Sequence, residues 1–257
     1  MSSETSLNYI SFRYEGDNIS PREDLLLIER PLSLRINHEP WTLTMQTPGH
    51  EIELAAGLAF TEGVIKRPYI VSDHFVKTKS SETDTVDITV PEEKIHRHEM
   101  RKRTMLSLSS CGICGRTELP DITGNADIHE DFRPSMIPHL LLEMQNLQTL
   151  FTKTGGCHAA AAFDITGELL CCMEDIGRHN AVDKVIGHLI LNGKLDAAKV
   201  MTVSSRVSYE IIVKCYAAAI PVIVAVSAPS SLAVDMAKEF SMSLYAFCRE
   251  NRCTRYA

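Results

Sequence analysis

The chain has 257 residues, of which 44% are hydrophobic and 23% are charged, and its formal net charge is -7 at pH 7. These values are ordinary for a globular protein and exclude a collagen-like chain, a disordered chain and a small disulfide scaffold. The negative charge disfavours binding to a nucleic acid polymer, which usually requires a basic domain or stripe. No basic segment followed by an apolar one opens the chain, and the longest apolar run, at about 217–226, is too short to span a membrane. The composition therefore predicts a soluble, cytoplasmic protein without a membrane segment.

The pattern of apolar and polar residues over the first hundred positions predicts a mixed α/β region. Apolar and polar side chains alternate at period two over 30–36, which predicts a half-buried strand. Thr47 and Pro48 have the form of a helix N-cap followed by proline, and the apolar face of 51–60 predicts the helix itself. Further strands are expected over 41–45 and 86–90.

A different composition begins at about residue 95. A basic cluster over 97–103 is followed by a stretch rich in serine and glycine around Cys111-Gly112-Ile113-Cys114-Gly115. Glycine adopts conformations that other residues avoid, and serine is common in turns, so this stretch predicts a mobile loop.

The second half alternates short apolar strands with helices, which predicts a mostly parallel sheet with helices packed on it. A hairpin is expected first, because Thr166-Gly167 separates two apolar runs. Ligands of such sheets bind beyond the carboxyl ends of the strands, where the loops 204–206 and 227–231 are expected. The expected strands cover 159–163, 169–173, 200–203, 221–226 and 243–248, and the expected helices cover 140–151, 180–191, 209–219 and 232–240.

Cys111-x-x-Cys114 is the strongest local motif, and three interpretations of it are open. It could supply half of a zinc site, although zinc needs four ligands and the chain has no second pair with this spacing. It could be a thioredoxin-type redox motif, although that motif opens a helix after a strand rather than standing in a glycine-flanked loop. It could also carry sulfur as a persulfide, for which an accessible thiolate near basic residues is suited.

The second motif is Gly155-Gly156-Cys157-His158-Ala159-Ala160. It is similar to the H-x-E half of a zinc nucleobase deaminase site, but Ala160 stands at the glutamate position. Without that carboxylate there is no general acid or base for deamination. Cys157 taken alone indicates a buried apolar side chain, and His158 fits a structural role as well as a site role.

The third motif, Glu174 to Asn180, places two acids, an arginine and a histidine at an expected strand-to-helix turn. It predicts either an N-cap with solvated charges or the wall of a polar pocket, because the free N–H groups of a helix N-terminus favour anions. In the second interpretation, Arg178 faces a phosphate, and Asp175 holds His179 in one tautomer.

The serine-rich loops 204–206 and 227–231 each cap a helix in the simplest interpretation. Together with Arg249, Arg252 and Arg255 they could instead hold phosphate groups, because arginine binds phosphate in a fork geometry.

Six motifs in this order resemble those of one known family. They are S-S-C-G-I-C-G, T-G-G-C-H-A-A-A, E-D-I-G-R-H-N-A-V-D-K, S-S-R-V-S-Y-E, S-A-P-S-S-L-A-V and F-C-R-E-N-R. From about Glu29 onward the chain is similar to the formate dehydrogenase accessory sulfurtransferases of the FdhD/NarQ family. That resemblance implies a cytidine-deaminase-like α/β fold, with a mostly parallel sheet, helices and a smaller N-terminal α/β region. We place the N-terminal region at 1–105 and the sulfurtransferase domain at 106–257.

The resemblance also implies an activity. Members of the family take sulfane sulfur from a cysteine desulfurase and pass it to the molybdenum bis(molybdopterin guanine dinucleotide) cofactor, which then serves formate dehydrogenase. A cytoplasmic homodimer is implied, and GDP is expected to bind as the nucleotide half of the cofactor. Two other hypotheses stay open: a chaperone that binds and delivers the cofactor without carrying sulfur, and a zinc-binding relative of the deaminases.

By the same resemblance, Cys111 carries the persulfide and Cys114 assists, and no metal ligands are assigned. The family's nucleotide-contacting tail matches 247–252, although Glu250 and Asn251 stand where the family has a glycine or a proline–glycine. The residues expected to bind the cofactor, from the resemblance and from the loops above, are Phe247, Cys248, Arg249, Glu250, Asn251, Arg252, Arg178, His179, Ser205 and Arg206.

Overall fold

The computed structural model of the protein describes residues 4–65, 75–80, 83–104, 132–249 and 252–257, with the backbone alone at 101–104. The predicted loop with Cys111 and Cys114 lies outside these residues, and so do Glu250 and Asn251. The mobile loop, its sulfur chemistry and the cofactor contacts of Glu250 and Asn251 therefore stay predictions. Among the described helices, none combines the length and the apolar character needed to cross a membrane.

The described residues form strands and helices that follow most of the predicted order. The single helix predicted over 140–151 is two helices, because the backbone leaves the helical region at Gln148, where ψ is 65°. The strands are β1 (Ser6–Glu15), β2 (Asn18–Leu27), β3 (Arg30–Ile36), β4 (Glu39–Gln46), β5 (Phe75–Thr78), β6 (Asp84–Ile88), β7 (His158–Phe163), β8 (Leu169–Asp175), β9 (Val200–Val203), β10 (Val222–Ala225), β11 (Ser243–Arg249) and β12 (Arg252–Arg255). The helices are α1 (Glu51–Thr61), α2 (Arg97–Thr104), α3 (Ile137–Leu147), α4 (Thr149–Thr154), α5 (Arg178–Leu191), α6 (Tyr209–Ala217) and α7 (Ser231–Glu239).

The N-terminal region contains a four-stranded sheet in the order β4-β3-β6-β5. Strands β3 and β6 are parallel, and the two outer pairings are antiparallel. Leu32, Leu34 and Ile36 are fully buried and alternate with less buried neighbours, which confirms the strand predicted over 30–36. With α1 packed beside this sheet, the mixed α/β region predicted for the first hundred residues is confirmed.

The predicted cap of α1 is wrong. The N-cap is His50, whose backbone is left-handed with a φ of 61° and whose side chain makes no capping hydrogen bond. Thr47 is engaged in a tertiary contact instead: its N–H donates to Asp175 Oδ2 at 3.2 Å, and its Oγ1 accepts the N–H of Ile176 at 3.1 Å. Because this hydroxyl serves a distant turn, it is not free to cap its own helix.

The C-terminal region contains a six-stranded sheet in the order β12-β11-β10-β9-β7-β8. Strands β9, β10 and β11 are parallel, but β7 is antiparallel to both β8 and β9, and β12 is antiparallel to β11. The prediction of a mostly parallel sheet is therefore wrong, and the sheet is mixed. The reason is that short connections join β7 to β8 and β11 to β12 at the two ends of the sheet. A short connection reverses the direction of the chain, so each of these pairs is antiparallel. The α/β class is confirmed, and the likeness to cytidine deaminases stays a prediction.

Helix α5 lies between α1 and the strands β7 and β8, and every residue from 180 to 187 is buried. The two helices touch backbone to backbone. A Cβ added at Gly57 would lie 1.9 Å from the carbonyl oxygen of Asp183, and one added at Gly187 would lie 1.8 Å from that of Glu53. One hydrophobic cluster runs through both regions as a result. The division into domains at 105 and 106 stays a prediction.

A buried ion pair joins three helices in this core. The Nζ of Lys214 on α6 lies 2.9 Å from both carboxylate oxygens of Asp183 on α5. The hydroxyl of Thr61 at the end of α1 accepts from Lys214 at 2.9 Å and donates to Asp183 at 2.8 Å. A buried charge is costly unless it is paired and hydrogen-bonded, so this contact fixes the relative positions of α1, α5 and α6.

Strands β1 and β2 form a separate two-stranded hairpin that the sequence analysis did not predict. Its β2 strand touches α4, but one face of the hairpin is apolar and uncovered by the described chain. The exposed fractions are 76% for Ile10, 62% for Phe12, 71% for Tyr14 and 58% for Ile19. The pairing places Tyr14 opposite Ile19, and Phe12 opposite Pro21, so these side chains form one continuous patch.

We predict that Gly57→Ala destabilises the protein by about 3 kcal/mol, because the new methyl group would press against a backbone carbonyl of α5 that cannot turn aside. Gly156→Ala is the matched control: the nearest atom lies at 3.6 Å, and the change should stay within about 0.5 kcal/mol. Urea unfolding followed by circular dichroism measures both. Equal unfolding midpoints for the two variants would contradict the close contact of α1 and α5.

Candidate functional site

One edge of the six-stranded sheet collects the loops that carry the sequence motifs. Strands β9, β10 and β11 all end at this edge, and β7 starts there because it is antiparallel to β9. The end of β8 joins them, since Asp175 pairs with His158 across β7 and β8. The motifs at 155–160, 174–180 and 204–206 are therefore neighbours in space, at the kind of edge where α/β sheets bind ligands.

Hydrogen bonds fix the loop that follows β9. The Oγ of Ser204 accepts the N–H of Ala159 at 2.9 Å, and the N–H of Ser204 donates to the carbonyl oxygen of Ala159 at 3.0 Å. Ser205 is buried, and its hydroxyl donates to the carbonyl oxygen of Arg206 at 2.9 Å. The Ser205 side chain thus stabilises the loop itself, and its predicted contact with a ligand stays a prediction.

The carboxylate of Asp175 organises the turn from β8 into α5. Its Oδ2 lies 2.7 Å from the Nζ of Lys184 and also accepts the N–H of Thr47. Its Oδ1 accepts the N–H of Gly177 at 2.7 Å and the side-chain amide of Asn180 at 3.2 Å. The side chains of Asp175 and Lys184 are 0% and 1% exposed. Because four donors satisfy one buried carboxylate, the first turn of α5 is held in a defined position.

The prediction that Asp175 orients His179 is wrong, because the four donors described above occupy that carboxylate. The carboxylate at His179 comes from α6 instead. The Nε2 of His179 lies 2.8 Å from Oε2 of Glu210 and 3.1 Å from the Oγ of Ser208. A carboxylate accepts hydrogen bonds, so Glu210 keeps a proton on Nε2 and sets the orientation of the ring.

Positive charges gather around His158. The pKa of His158 is lowered, first by burial and then by the charges of Arg178, His179 and Arg206. The Nε of Arg178 is buried and makes no hydrogen bond within the described part of the chain. Gly177 at the N-cap of α5 supplies no side-chain acceptor, and within the described residues no capping side chain takes up the first N–H groups of the helix. Positive charge and unused donors together favour an anion such as phosphate.

The tail segment reaches the same edge. Phe247 lies at a bulge of β11 with a φ of 53°, its N–H donates to the carbonyl oxygen of Ser227 at 3.1 Å, and its ring is exposed. Cys248 is buried, whereas Arg249 and Arg252 are exposed and lie opposite each other. The structure therefore presents an aromatic ring and two arginines next to the cationic loops, and their role in binding the cofactor stays a prediction.

Cys157 in the second motif is a buried thiol, as the sequence indicated. Its Sγ donates to Oε1 of Glu174 at 3.1 Å, and that carboxylate also accepts the N–H groups of Leu150 and Phe151 at 2.8 Å. Burial above all, and then the contact with Glu174, raise the pKa of Cys157. A thiol that stays protonated is a poor nucleophile and a poor metal ligand.

Most of the other described cysteines also have raised pKa values. Burial raises the pKa of Cys171, Cys172, Cys215 and Cys248 to about 12. Cys253, in contrast, is exposed. Within the described residues, no group of three His, Cys, Asp or Glu side chains could hold a metal ion. A reactive thiolate for sulfur chemistry must therefore come from elsewhere than these buried positions.

Three residues of this site were not predicted from the sequence: Lys184, Glu210 and Thr47. A signal existed for Lys184, because a lysine among the apolar residues of a buried helix requires a partner. Glu210 stands in the fourth motif, but nothing in the sequence indicates that it faces His179. Thr47 gave no signal at all, since its partner Asp175 lies 128 residues further along the chain.

Comparison with known proteins finds relatives along nearly the whole chain. A protein named sulfur carrier protein FdhD from Corynebacterium efficiens is 38% identical over 256 residues, which covers 93% of this chain and 91% of that protein. Proteins of the same name from Streptomyces coelicolor and Sulfurisphaera tokodaii are 39% and 36% identical, each over 95% of this chain and over 91% and 94% of their own lengths.

A crystal structure from Desulfotalea psychrophila, which bears the name of a formate dehydrogenase accessory protein, has a similar fold. Its TM-score with this chain is 0.74, and the match covers 98% of this chain and 97% of the other at 22% sequence identity. The FdhD/NarQ family model matches residues 27–257. That range includes the whole sheet edge described above, together with all six sequence motifs. The chain therefore belongs to the FdhD/NarQ family.

Proposed function

We propose that this protein is a sulfurtransferase that serves the maturation of formate dehydrogenase. Cys111 takes sulfane sulfur from a cysteine desulfurase as a persulfide and passes it to the molybdenum bis(molybdopterin guanine dinucleotide) cofactor, which is the substrate. The names of the relatives support sulfur carriage, and the name of the similar crystal structure supports the link to formate dehydrogenase. The reducing cytoplasm suits a carrier that works through free thiols.

The observation that carries this proposal is the cationic edge of the six-stranded sheet. The charges of Arg178 and Arg206 both lower the pKa of His158, and the Nε of Arg178 is buried without a partner in the described chain. Such a group costs free energy unless a ligand satisfies it. The phosphates of a guanine dinucleotide would supply the missing acceptors and the opposite charge. Arg249 and Arg252 extend the same positive surface along the tail.

The sulfur chemistry is assigned to Cys111 and Cys114 in part because five of the remaining six cysteines have raised pKa values. The Cys111 thiolate attacks the outer sulfur of the desulfurase persulfide, and the desulfurase cysteine leaves as a thiolate. Attack of Cys114 on the inner sulfur of Cys111 then releases hydrosulfide to the substrate and leaves a Cys111–Cys114 disulfide. A thiol reductant reopens that disulfide for the next cycle.

A second candidate function is a chaperone that binds and delivers the cofactor without carrying sulfur. The cationic edge favours it as strongly as it favours the sulfurtransferase, because phosphate binding is common to both. The two functions differ in one respect only, namely whether sulfur becomes covalently attached to the protein.

We also propose that the protein is a homodimer formed through the apolar face of the β1–β2 hairpin. Ile10, Phe12, Tyr14 and Ile19 together expose on the order of 500 Å², so a two-fold pair would bury roughly 1,000 Å², the area of a small specific interface. A two-stranded hairpin alone is marginally stable in water, which favours a covered state. A second copy fits this face because Ile10, Phe12, Tyr14 and Ile19 are all apolar or aromatic, with Glu23 beside Ile10 at one end of the patch, so the patch can pair with a copy of itself.

We predict that incubation with a cysteine desulfurase and cysteine adds one sulfur atom, about 32 Da, to Cys111. Mass spectrometry of the intact chain and its peptides should show the adduct in the unaltered protein and in the control Cys172→Ala, but not in Cys111→Ala. Cys114→Ala should keep the adduct and release hydrosulfide more slowly. An adduct that persists in Cys111→Ala would contradict the proposal, and a chain that binds nucleotide but gains no sulfur would support the chaperone.

We predict that the protein binds GDP and that Arg206→Ala or Arg252→Ala weakens this binding about tenfold to a hundredfold, the effect of losing one charge-assisted hydrogen bond. Lys238→Ala is the control, because Lys238 is exposed near the end of α7, which runs away from the cationic edge. Isothermal titration calorimetry measures all three. If GDP fails to bind at millimolar concentration, or if Lys238→Ala has the largest effect, the assignment of this edge is wrong.

We predict that Phe12→Glu weakens dimerisation at least about tenfold, since it replaces an apolar contact worth roughly 1.5–3 kcal/mol by a charge. Arg13→Glu, on the opposite face of the same strand, should leave the dimer unchanged. Sedimentation equilibrium gives the dissociation constants. A monomer at every concentration of the unaltered chain would contradict the proposed homodimer.

A further inference from the structure

The last two strands bring together two cysteines that the sulfur chemistry above does not use. A bulge in β11 places two of its residues, Phe247 and Cys248, opposite the single residue Cys253 of β12. The Cys253 thiol is near enough to contribute to the raised pKa of Cys248, after the larger effect of burial. Both cysteines are free thiols in the described chain. The paired residues on either side of the bulge are Ala246–Thr254 and Arg249–Arg252.

Facing residues of antiparallel strands have a geometry that suits a disulfide. Their Cα atoms lie about 4.5–5.5 Å apart, and a disulfide requires about 4.4–6.8 Å. A bond between Cys248 and Cys253 would therefore need little movement of the backbone. Neighbouring cysteines on one strand, such as Cys171 and Cys172, do not have this arrangement, because their side chains point to opposite faces of the sheet.

The two thiols differ in accessibility, which gives each a distinct part in the chemistry. Cys253 is exposed, so a reagent in solution can reach it. Cys248 is buried, and burial above all raises its pKa to about 12, so it does not react with such a reagent directly. Once Cys253 has formed a mixed disulfide, however, the Cys248 sulfur is already beside it.

We propose that Cys248 and Cys253 form a reversible disulfide, with Cys253 as the entry thiol and Cys248 as the resolving thiol. The co-reactant is a low-molecular-weight disulfide such as oxidised glutathione. The Cys253 thiolate attacks one sulfur of that disulfide, forms a mixed disulfide and expels one glutathione thiolate. Cys248 gives up its proton and attacks the Cys253 sulfur, which expels the second glutathione. Two electrons pass from the cysteine pair to the reagent, and two molecules of glutathione leave.

The position of this pair connects it with the tail of the candidate site. Phe247 and Arg249 flank Cys248, and Arg252 precedes Cys253. A disulfide would hold the two strands together at the place from which these three side chains project. This connection with nucleotide binding rests on the proposed function, whereas the formation of the disulfide does not.

The test is a redox titration of the full chain with oxidised and reduced glutathione, followed by alkylation and tryptic mapping. Trypsin cleaves after Arg249 and Arg252, so the disulfide would join the peptides 239–249 and 253–255 and reveal itself as a linked pair. We expect the linked pair in the unaltered protein, in the Cys111→Ser/Cys114→Ser double variant and in the control Cys172→Ser. The double variant separates this result from the fate of the sulfur-carrier proposal.

Two single variants test the order of the steps. Cys253→Ser should abolish the linked peptides and leave Cys248 reduced. Cys248→Ser should instead stop the reaction at a glutathione adduct on Cys253. The proposal fails if saturating oxidised glutathione leaves both peptides unlinked in the unaltered chain. It fails equally if Cys253 is found joined to any cysteine other than Cys248.

Discussion

The buried contact between Asp175 and Lys184 is the constraint on which the geometry of the site depends. Asp175 closes β8, Lys184 lies on α5, and the N–H of Thr47 adds the N-terminal region to the same carboxylate. Removing one partner of such a pair costs about 3–5 kcal/mol, because the other charge remains buried without compensation. The contact therefore fixes where α5 begins, and with it the position of Arg178 and of the free N–H groups at the helix end.

Close to the Asp175–Lys184 ion pair, the protein has an arrangement of positive charges that is unfavourable on its own. Arg178 and Arg206 are brought towards His158, where their charges oppose protonation of the ring, although the chain as a whole carries a net charge of -7. Departures of this kind from local electrostatic preference are found mainly where a ligand compensates for them. An anion at this edge would offset the positive charges that act on His158, which a neutral ligand could not do.

The sequence predicts those elements whose signals are local. The alternation at 30–36 and the buried run at 200–203 correspond to strands, because burial on one face or on both leaves a pattern in neighbouring residues. The mixed direction of the large sheet was missed, since the order of strands depends on contacts between distant segments. The motifs correctly named the loops that meet at the site edge. The predicted partner of His179 and the predicted helix cap by Thr47 were wrong for the same reason. Each side chain contacts an element that lies far away in the sequence.

The contacts that join the two regions of the chain also impose an order on its folding. Thr47 finds its partner 128 residues later, and Thr61 finds Lys214 153 residues later. During synthesis, α1 leaves the ribosome long before α5 and α6 exist. Until then, the polar groups of α1 and the surface at Gly57, which are buried in the folded protein, stay in contact with water. Contacts of such long sequence separation slow folding. Helix α1 therefore completes its packing only when nearly the whole chain has been made.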